Sequence, residues 1–180
     1  HLADGTIHTG DELRLVVGLP CFARVPEVRR RALGPVPVYD HALRRPLSPF
    51  AEQIRALWAG LRVGAQHPAD EGREYHRVLA ITSARSHESK SVTAIALGRC
   101  AKSRGQRVLT IDCDLRQPTF TLRLSGPQDQ LEPGLAEILT GDFDWHDCIR
   151  EDPLTGMNFI PAGRFSSQAL ELFPSEAMIS

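Results

Sequence analysis

The apolar positions of this chain change their period several times, and each change predicts an element. Leu13 to Val17 is a short apolar run broken by Gly18-Leu19-Pro20, after which Cys21 to Val25 resumes as a candidate strand. Arg29, Arg30 and Arg31 follow, then a stretch holding Pro35, Pro37 and Pro46. Prolines at that density oppose regular structure, so residues 1–47 read as an extended, juxtamembrane-like lead-in, its arginines either a solvated loop or a segment near anionic lipid. Ser48-Pro49 is a helix start, an N-cap serine with proline at the first helical position. Phe50, Ile54, Leu57 and Leu61 then recur at helical spacing and predict a helix over 48–63, with Glu52 and Arg55 on its polar side. Residues 64–77 are polar and carry Gly and Pro, which predicts a loop.

From Arg77 the pattern becomes that of an α/β domain spanning 64–180. Val78 to Thr82 is β-branched and nearly all apolar, as expected of a strand buried on both faces. After the loop Ser83 to Ser89 comes a helix with Val92, Ile95, Ala96 and Cys100 on its core side and Gly105 at its C-terminal cap. Val108 to Ile111 is a second buried strand that ends in Asp112-Cys113-Asp114. Strand, helix and strand in this order predict a parallel sheet with helices on its faces. Gly134 to Leu139 and Trp145 to Ile149 read as short helices, and Met157 to Ile160 as a third strand.

Composition adds exclusions. The 180 residues are 42% hydrophobic and 24% charged, the balance of an ordinary folded domain. With 21 Lys plus Arg against 22 Asp plus Glu the formal net charge is −1, so nothing global points to nucleic acid. No apolar stretch approaches the roughly 20 residues of a membrane helix, and no secretory signal opens the chain, so a soluble piece is expected. Cys21, Cys100, Cys113 and Cys148 form no C-x-x-C pair, and Cys100 and Cys113 lie in apolar segments as small core residues. That usage predicts a reducing, cytoplasmic compartment. The seven histidines show no ligand spacing.

The candidate chemistry lies between the first predicted strand and its helix. A phosphate-binding loop needs backbone N–H groups around an anion at a helix N-terminus, a lysine for the phosphates and a hydroxyl for Mg²⁺. The segment reads Ala84-Arg85-Ser86-His87-Glu88-Ser89-Lys90-Ser91-Val92, with Lys90 and Ser91 matching G-x-x-x-x-G-K-[ST] and both glycines replaced. Asp112 and Asp114 stand at the carboxyl edge of the second strand, where parallel α/β sheets bind ligands. Acids there position Mg²⁺ or take a proton from an attacking hydroxyl; alternatively, they cap the next segment as a turn.

These residues resemble the cytoplasmic domain of the bacterial tyrosine kinases, P-loop proteins that act with capsular and exopolysaccharide chain-length and export proteins. The phosphate loop of that family reads T-S-x-x-P-G-E-G-K-S, matched by Thr82, Ser83, Glu88, Lys90 and Ser91. Its second strand ends I-D-x-D-L-R-x-P, matched by Ile111, Asp112, Asp114, Leu115, Arg116 and Pro118. Gly134 to Phe143 is similar to its G-L-x-x-x-L-x-G segment, and Phe159 to Met178 to its L-P-A-G…P-x-E-L-L-x-S-x-x-M segment. The resemblance implies a P-loop NTPase-type sheet binding ATP or ADP with Mg²⁺. It implies Lys90 on the phosphates, Ser91 and Asp112 on the metal, and Asp112 and Asp114 activating a tyrosine hydroxyl. It also implies Glu52 and Arg55 in a ring-like contact between copies, a membrane chain-length or export partner (or the chain's own preceding membrane half), and a place on the cytoplasmic side of the bacterial inner membrane.

Ser86, His87 and Ser89 depart from the family loop, replacing its proline and two glycines. The family's next strand and its tyrosine-rich tail fall beyond Ser180, so the sheet is expected to be incomplete at its C-terminal side. Three readings follow: an ATP-binding tyrosine autokinase domain of exopolysaccharide export, a nucleotide-weak interaction module of the same machinery, and a partition or cell-division type P-loop ATPase.

Overall fold

Helix α1 (Gly10–Val17) begins at a capping box: Thr9 Oγ1 accepts from the Glu12 N–H and the Glu12 carboxylate accepts from the Thr9 N–H, both at 3.1 Å. Gly18, at φ 74°, closes the helix in the left-handed conformation. In this computed structural model the described residues are 9–28, 36–64, 78–83, 89–126 and 132–172. They divide into two units, residues 1–80 and 81–180.

In the first unit, Leu13 to Val17 is helical rather than an isolated apolar run, because the capping box supplies the helix start that the hydrophobic pattern alone does not show. Cys21 to Val25 is irregular and pairs with none of the described strands, while the Arg24 N–H donates to Gln53 Oε1 at 3.0 Å. A one-turn 3₁₀ helix (Val38–Asp40) leads into α2 (His41–Arg44), so the lead-in is more ordered than its prolines suggest. Helix α3 (Pro49–Gly64) starts where the sequence predicts, with Ser48 Oγ accepting from the Ala51 N–H at 3.2 Å. It buries Phe50, Ala51 and Ile54 and leaves Glu52 exposed, while Arg55 Nη1 donates to the Pro46 carbonyl at 2.7 Å.

The second unit is built on a three-stranded sheet of order β1 (Leu109–Ile111), β3 (Asn158–Ile160), β2 (Arg150–Glu151). β1 and β3 are parallel, with Thr110 opposite Phe159, and β2 joins β3 antiparallel. Helices α4 (Lys90–Lys102), α5 (Thr119–Ser125), α6 (Leu135–Thr140) and α7 (Ser167–Leu172) complete an α/β fold of the expected class. α4 buries Val92, Ile95, Ala96 and Cys100, the face the 3.6-residue period picks out. It ends one turn before Gly105, whose φ of 78° lets the chain reverse toward β1. A second core gathers Leu115, Leu135, Leu139, Cys148, Ile160, Ala162 and Ala169 between the sheet and α6 and α7. Gly134 is required there, because a Cβ at that position would collide with the Pro161 carbonyl oxygen and the Gly163 nitrogen. That close approach lets the Leu135 and Ala136 N–H groups donate to Pro161 and Ala162 carbonyls at 2.9 and 3.0 Å.

Further expectations are corrected, beginning with the burial of β1, whose Leu109 and Ile111 are 44% and 43% exposed. Val78 to Thr82 forms no strand: Val78 is 99% exposed, and residues 78–83 pair with none of the described strands. An apolar run becomes a buried parallel strand only when a ladder receives it. Trp145 to Ile149 is a chain of turns rather than a helix, since Cys148 and Ile149 bond three residues back and the Asp144 carboxylate captures the His146 N–H at 2.8 Å. Cys113 is exposed at the end of β1 instead of lying in the core, whereas Cys148 is buried.

One buried ion pair stitches α4 to the turn before β3. Arg99 Nε and Nη2 grip the two Asp152 oxygens at 2.9 and 2.7 Å, with both residues almost wholly buried. Burial alone would push the Asp152 carboxyl up, but hydrogen bonds from Arg99 and Thr155 and the Arg99 charge outweigh it and hold it below the ordinary value.

Candidate nucleotide site

Of the predicted phosphate loop, Ala84, Arg85, Ser86, His87 and Glu88 lie outside the described residues. The part that is described begins at Ser89, which has φ 64° and ψ 20° and is the sole non-glycine residue at positive φ among the described residues. A glycine takes this conformation without penalty, whereas a side chain costs about 1–2 kcal/mol there. The glycine pattern of the loop therefore has a physical counterpart at this position, and serine occupies it under strain. Ser89 makes no side-chain cap, and no acidic residue lies in the first turn of α4, so that helix end keeps its positive character.

Lys90 and Ser91 open α4, and each reaches a partner in the segment that follows β1, Asp114 in its turn and Thr119 at the start of α5. Lys90 Nζ donates to Asp114 Oδ2 at 2.6 Å, both side chains being partly exposed. Ser91, nearly buried, places its Oγ 2.6 Å from Thr119 Oγ1. Val92 turns its side chain into the core, which leaves only its backbone for a ligand. Asp114 Oδ1 also accepts from the Gln117 N–H at 3.0 Å. Burial works to raise the Asp114 carboxyl, but the Lys90 hydrogen bond, the Gln117 N–H and the Lys90 charge together lower it, so it is ionised at neutral pH.

Asp112 differs from Asp114. It is 4% exposed, and its Oδ2 accepts from both the N–H and the hydroxyl of Thr121 at 2.9 and 2.8 Å. Its Oδ1 accepts from the Asp114 N–H at 3.2 Å, and its own N–H donates to the Ile160 carbonyl at 3.0 Å. Thr121 Oγ1 in turn accepts from the Ala162 N–H at 3.0 Å. This network joins the ends of β1 and β3 to the first turn of α5. Desolvation raises the Asp112 carboxyl above its ordinary value, against the lowering effect of the Thr121 bonds.

The structure thus brings together Lys90, Ser91, Asp112 and Asp114, while Glu52 and Arg55 belong to the other unit. Thr119 and Thr121 are site residues the sequence reading passes over. Their signal is the Pro-Thr-Phe-Thr stretch directly after the acidic turn, which puts two hydroxyls in the first turn of a helix facing Ser91 and Asp112. Among the described residues no group of three or more His, Cys, Asp or Glu could hold a metal ion alone. The hard oxygen donors present (the Ser91 hydroxyl and the neighbouring carboxylates) suit Mg²⁺, which takes one or two protein oxygens and draws its remaining ligands from phosphates and water.

An AAA domain family model matches residues 76–177, more than half of the chain. The succinoglycan biosynthesis transport protein ExoP of Rhizobium meliloti is 35% identical over 136 residues, covering 74% of this chain and 16% of that protein. The tyrosine-protein kinase CpsD of Streptococcus agalactiae is 33% identical over 129 residues, covering 71% and 51%. The solved BceF tyrosine kinase domain superposes with a TM-score of 0.76 at 25% identity, covering 96% of this chain and 69% of that one. The chain spans about a sixth to a half of the length of these curated relatives. No helix of the described residues is long and apolar enough to cross a membrane. By sequence and by fold, the chain belongs to the AAA domain family of P-loop proteins, and the relatives named above include a succinoglycan biosynthesis transport protein and bacterial tyrosine kinases.

Proposed function

We propose that residues 81–180 are the nucleotide-binding part of a tyrosine autokinase of exopolysaccharide biosynthesis and export. The observation that supports this reading most is the approach of Lys90, first residue of α4, to Asp114 beyond β1, 2.6 Å apart. It gathers a phosphate-binding cation, a helix N-terminus and an ionised acid at one end of the sheet. In this reading Lys90 and the first N–H groups of α4 bind the phosphates, and Ser91 holds Mg²⁺ with the nearby acids. Bound MgATP supplies the phosphoryl group and the charge neutralisation for its transfer. Asp114, partly exposed and ionised, is the acid suited to orient a tyrosine hydroxyl and take its proton. Asp112, buried in its Thr121 network, holds the end of β1 in register and contributes to the metal side of the site. Exposed Glu52, with Arg55 three residues on, is the proposed contact with a second copy in a ring, next to a membrane chain-length or export protein on the cytoplasmic side.

A second reading, a nucleotide-weak interaction module, is favoured by the replacement of the loop's proline and two glycines by Ser86, His87 and Ser89. Titration calorimetry of the full chain with MgADP, with Lys90→Ala as the control, decides between them. Micromolar binding lost in the variant is the expected result. A folded wild type that binds no MgADP would remove the kinase reading and leave the module.

A further inference from the structure

Ser91 presents a stereochemical problem that the structure solves with one residue. A serine hydroxyl has one proton and two lone pairs, and to ligate a cation its oxygen must face the metal while its proton points elsewhere. Ser91 is nearly buried, so water is a poor acceptor for that proton and a protein acceptor is needed. Thr119 Oγ1 lies 2.6 Å away, at the short end of the range for O–H···O hydrogen bonds. The two residues are 28 positions apart, on α4 and α5, and nothing in the local chain forces them together.

Thr119 is itself held on two sides. Pro118 precedes it with φ fixed at −72°, and two residues on, the buried Asp112 carboxylate clamps both the N–H and the hydroxyl of Thr121. The first turn of α5 is thereby fixed to the end of β1, and the β-branched Thr119 has few rotamers to choose from. Resting on the nucleotide reading above, we propose that Thr119 is the positioning residue for Ser91. Its oxygen accepts a hydrogen bond from the Ser91 O–H and so turns the Ser91 lone pairs toward a divalent cation. Partners of metal ligands in this role change metal affinity by about 10- to 100-fold when removed. The inference also gives Asp112 a part at one remove, since its clamp on Thr121 sets where Thr119 stands.

The test is ADP titration of the full chain in excess EDTA and again in excess Mg²⁺, reading the ratio of the two dissociation constants. Thr119→Val, close in shape but without the acceptor, is expected to lower the Mg²⁺-dependent gain about tenfold or more and leave metal-free ADP binding unchanged. Thr119→Ser is expected to restore most of the gain; a merely structural role for the threonine would not show this pattern. Thr119→Ala lacks the acceptor too and replaces Thr119→Val if thermal melting shows the latter unfolded. The proposal is overturned if the variants keep the full gain, if they lose metal-free and Mg²⁺-bound affinity alike, or if Thr119→Ser behaves as Thr119→Val. A wild type that binds ADP equally with and without Mg²⁺ also overturns it and leaves nucleotide binding standing. A wild type that binds ADP under neither condition removes the nucleotide reading and this inference with it.

Discussion

Replacing Asp114 with asparagine should tighten the binding of metal-free ADP, although it removes a residue of the proposed site. Lys90 Nζ is 2.6 Å from Asp114 Oδ2, and the side chains are 38% and 26% exposed, so water screens the pair. A pair of this kind contributes about 0.2–1 kcal/mol. A phosphate that recruits Lys90 must share the ammonium with Asp114 and forfeits up to that amount. The carboxylate also repels the anion by about 0.8 kcal/mol for unit charges roughly 5 Å apart in water. Together these come to about 1–2 kcal/mol, or roughly a fivefold to thirtyfold gain in metal-free ADP affinity for Asp114→Asn. With Mg²⁺ present the gain should shrink or reverse, because the carboxylate then stands beside a cation. Calorimetric titration of both proteins in EDTA and in Mg²⁺ measures this. In a Lys90→Ala background the part of the gain that passes through the lysine should vanish. Unchanged or weaker metal-free binding in Asp114→Asn would refute the argument that Asp114 holds Lys90 back from an anion.

Three further outcomes follow from the described packing. Arg99→Met should destabilise the fold by about 3–5 kcal/mol in urea titration, because it strands the buried Asp152 carboxylate; a loss under 1 kcal/mol would contradict the pairing. Since the Asp152 carboxyl is lowered from 3.8, the unfolded state binds the proton first, so the pair's contribution is complete above the ordinary carboxylate value and is lost as pH falls through the lower folded value. Asp152→Asn should flatten that acid limb of the stability profile. Ser89→Gly should remove about 1–2 kcal/mol of left-handed strain while adding about 0.4–1 kcal/mol of unfolded-chain entropy, a net stabilisation of up to about 1.5 kcal/mol. A destabilised Ser89→Gly would mean that the serine side chain makes a contact worth more than its strain.

Helices α3, α4 and α6 and the site acids were readable from residue types because their causes are local. The Ser48-Pro49 start and the buried face of α4 depend on a cap and a periodicity that a short window contains. Val78 to Thr82 misleads because its apolarity reports only a preference for burial, and the ladder that would convert it to a strand is a property of other segments. Arg150–Glu151 has no apolar signature at all; it becomes a strand by pairing with Phe159 and Asn158. The same distinction divides the site. Lys90, Ser91, Asp112 and Asp114 stand out as a spacing pattern, whereas Thr119 and Thr121 acquire their meaning from contacts over 28 and 9 residues.

The altered loop and the intact site positions are compatible because different forces hold them. Lys90 and Ser91 take their places from α4, which is fixed by Val92, Ile95, Ala96 and Cys100 in the core and by the Arg99–Asp152 pair at its other end. Asp114 and Thr119 take theirs from β1 and α5, fixed by the Asp112–Thr121–Ala162 network. The side chains that supply these supports all lie from Val92 onward. Losing the loop glycines therefore need not move the lysine, the hydroxyl or the acids; its energetic cost falls on how the backbone closes around phosphate, about 1–3 kcal/mol for one strained residue. At 1.4 kcal/mol per factor of ten that is a reduction in affinity by roughly five- to 150-fold if the strain is met only on closing. Strain already present in the free protein would instead cancel from affinity and appear in stability alone. Ser89 carries its positive φ as the N-terminal flank of the folded α4, so its share belongs to stability, and an ADP affinity unchanged by Ser89→Gly is what this division of forces requires.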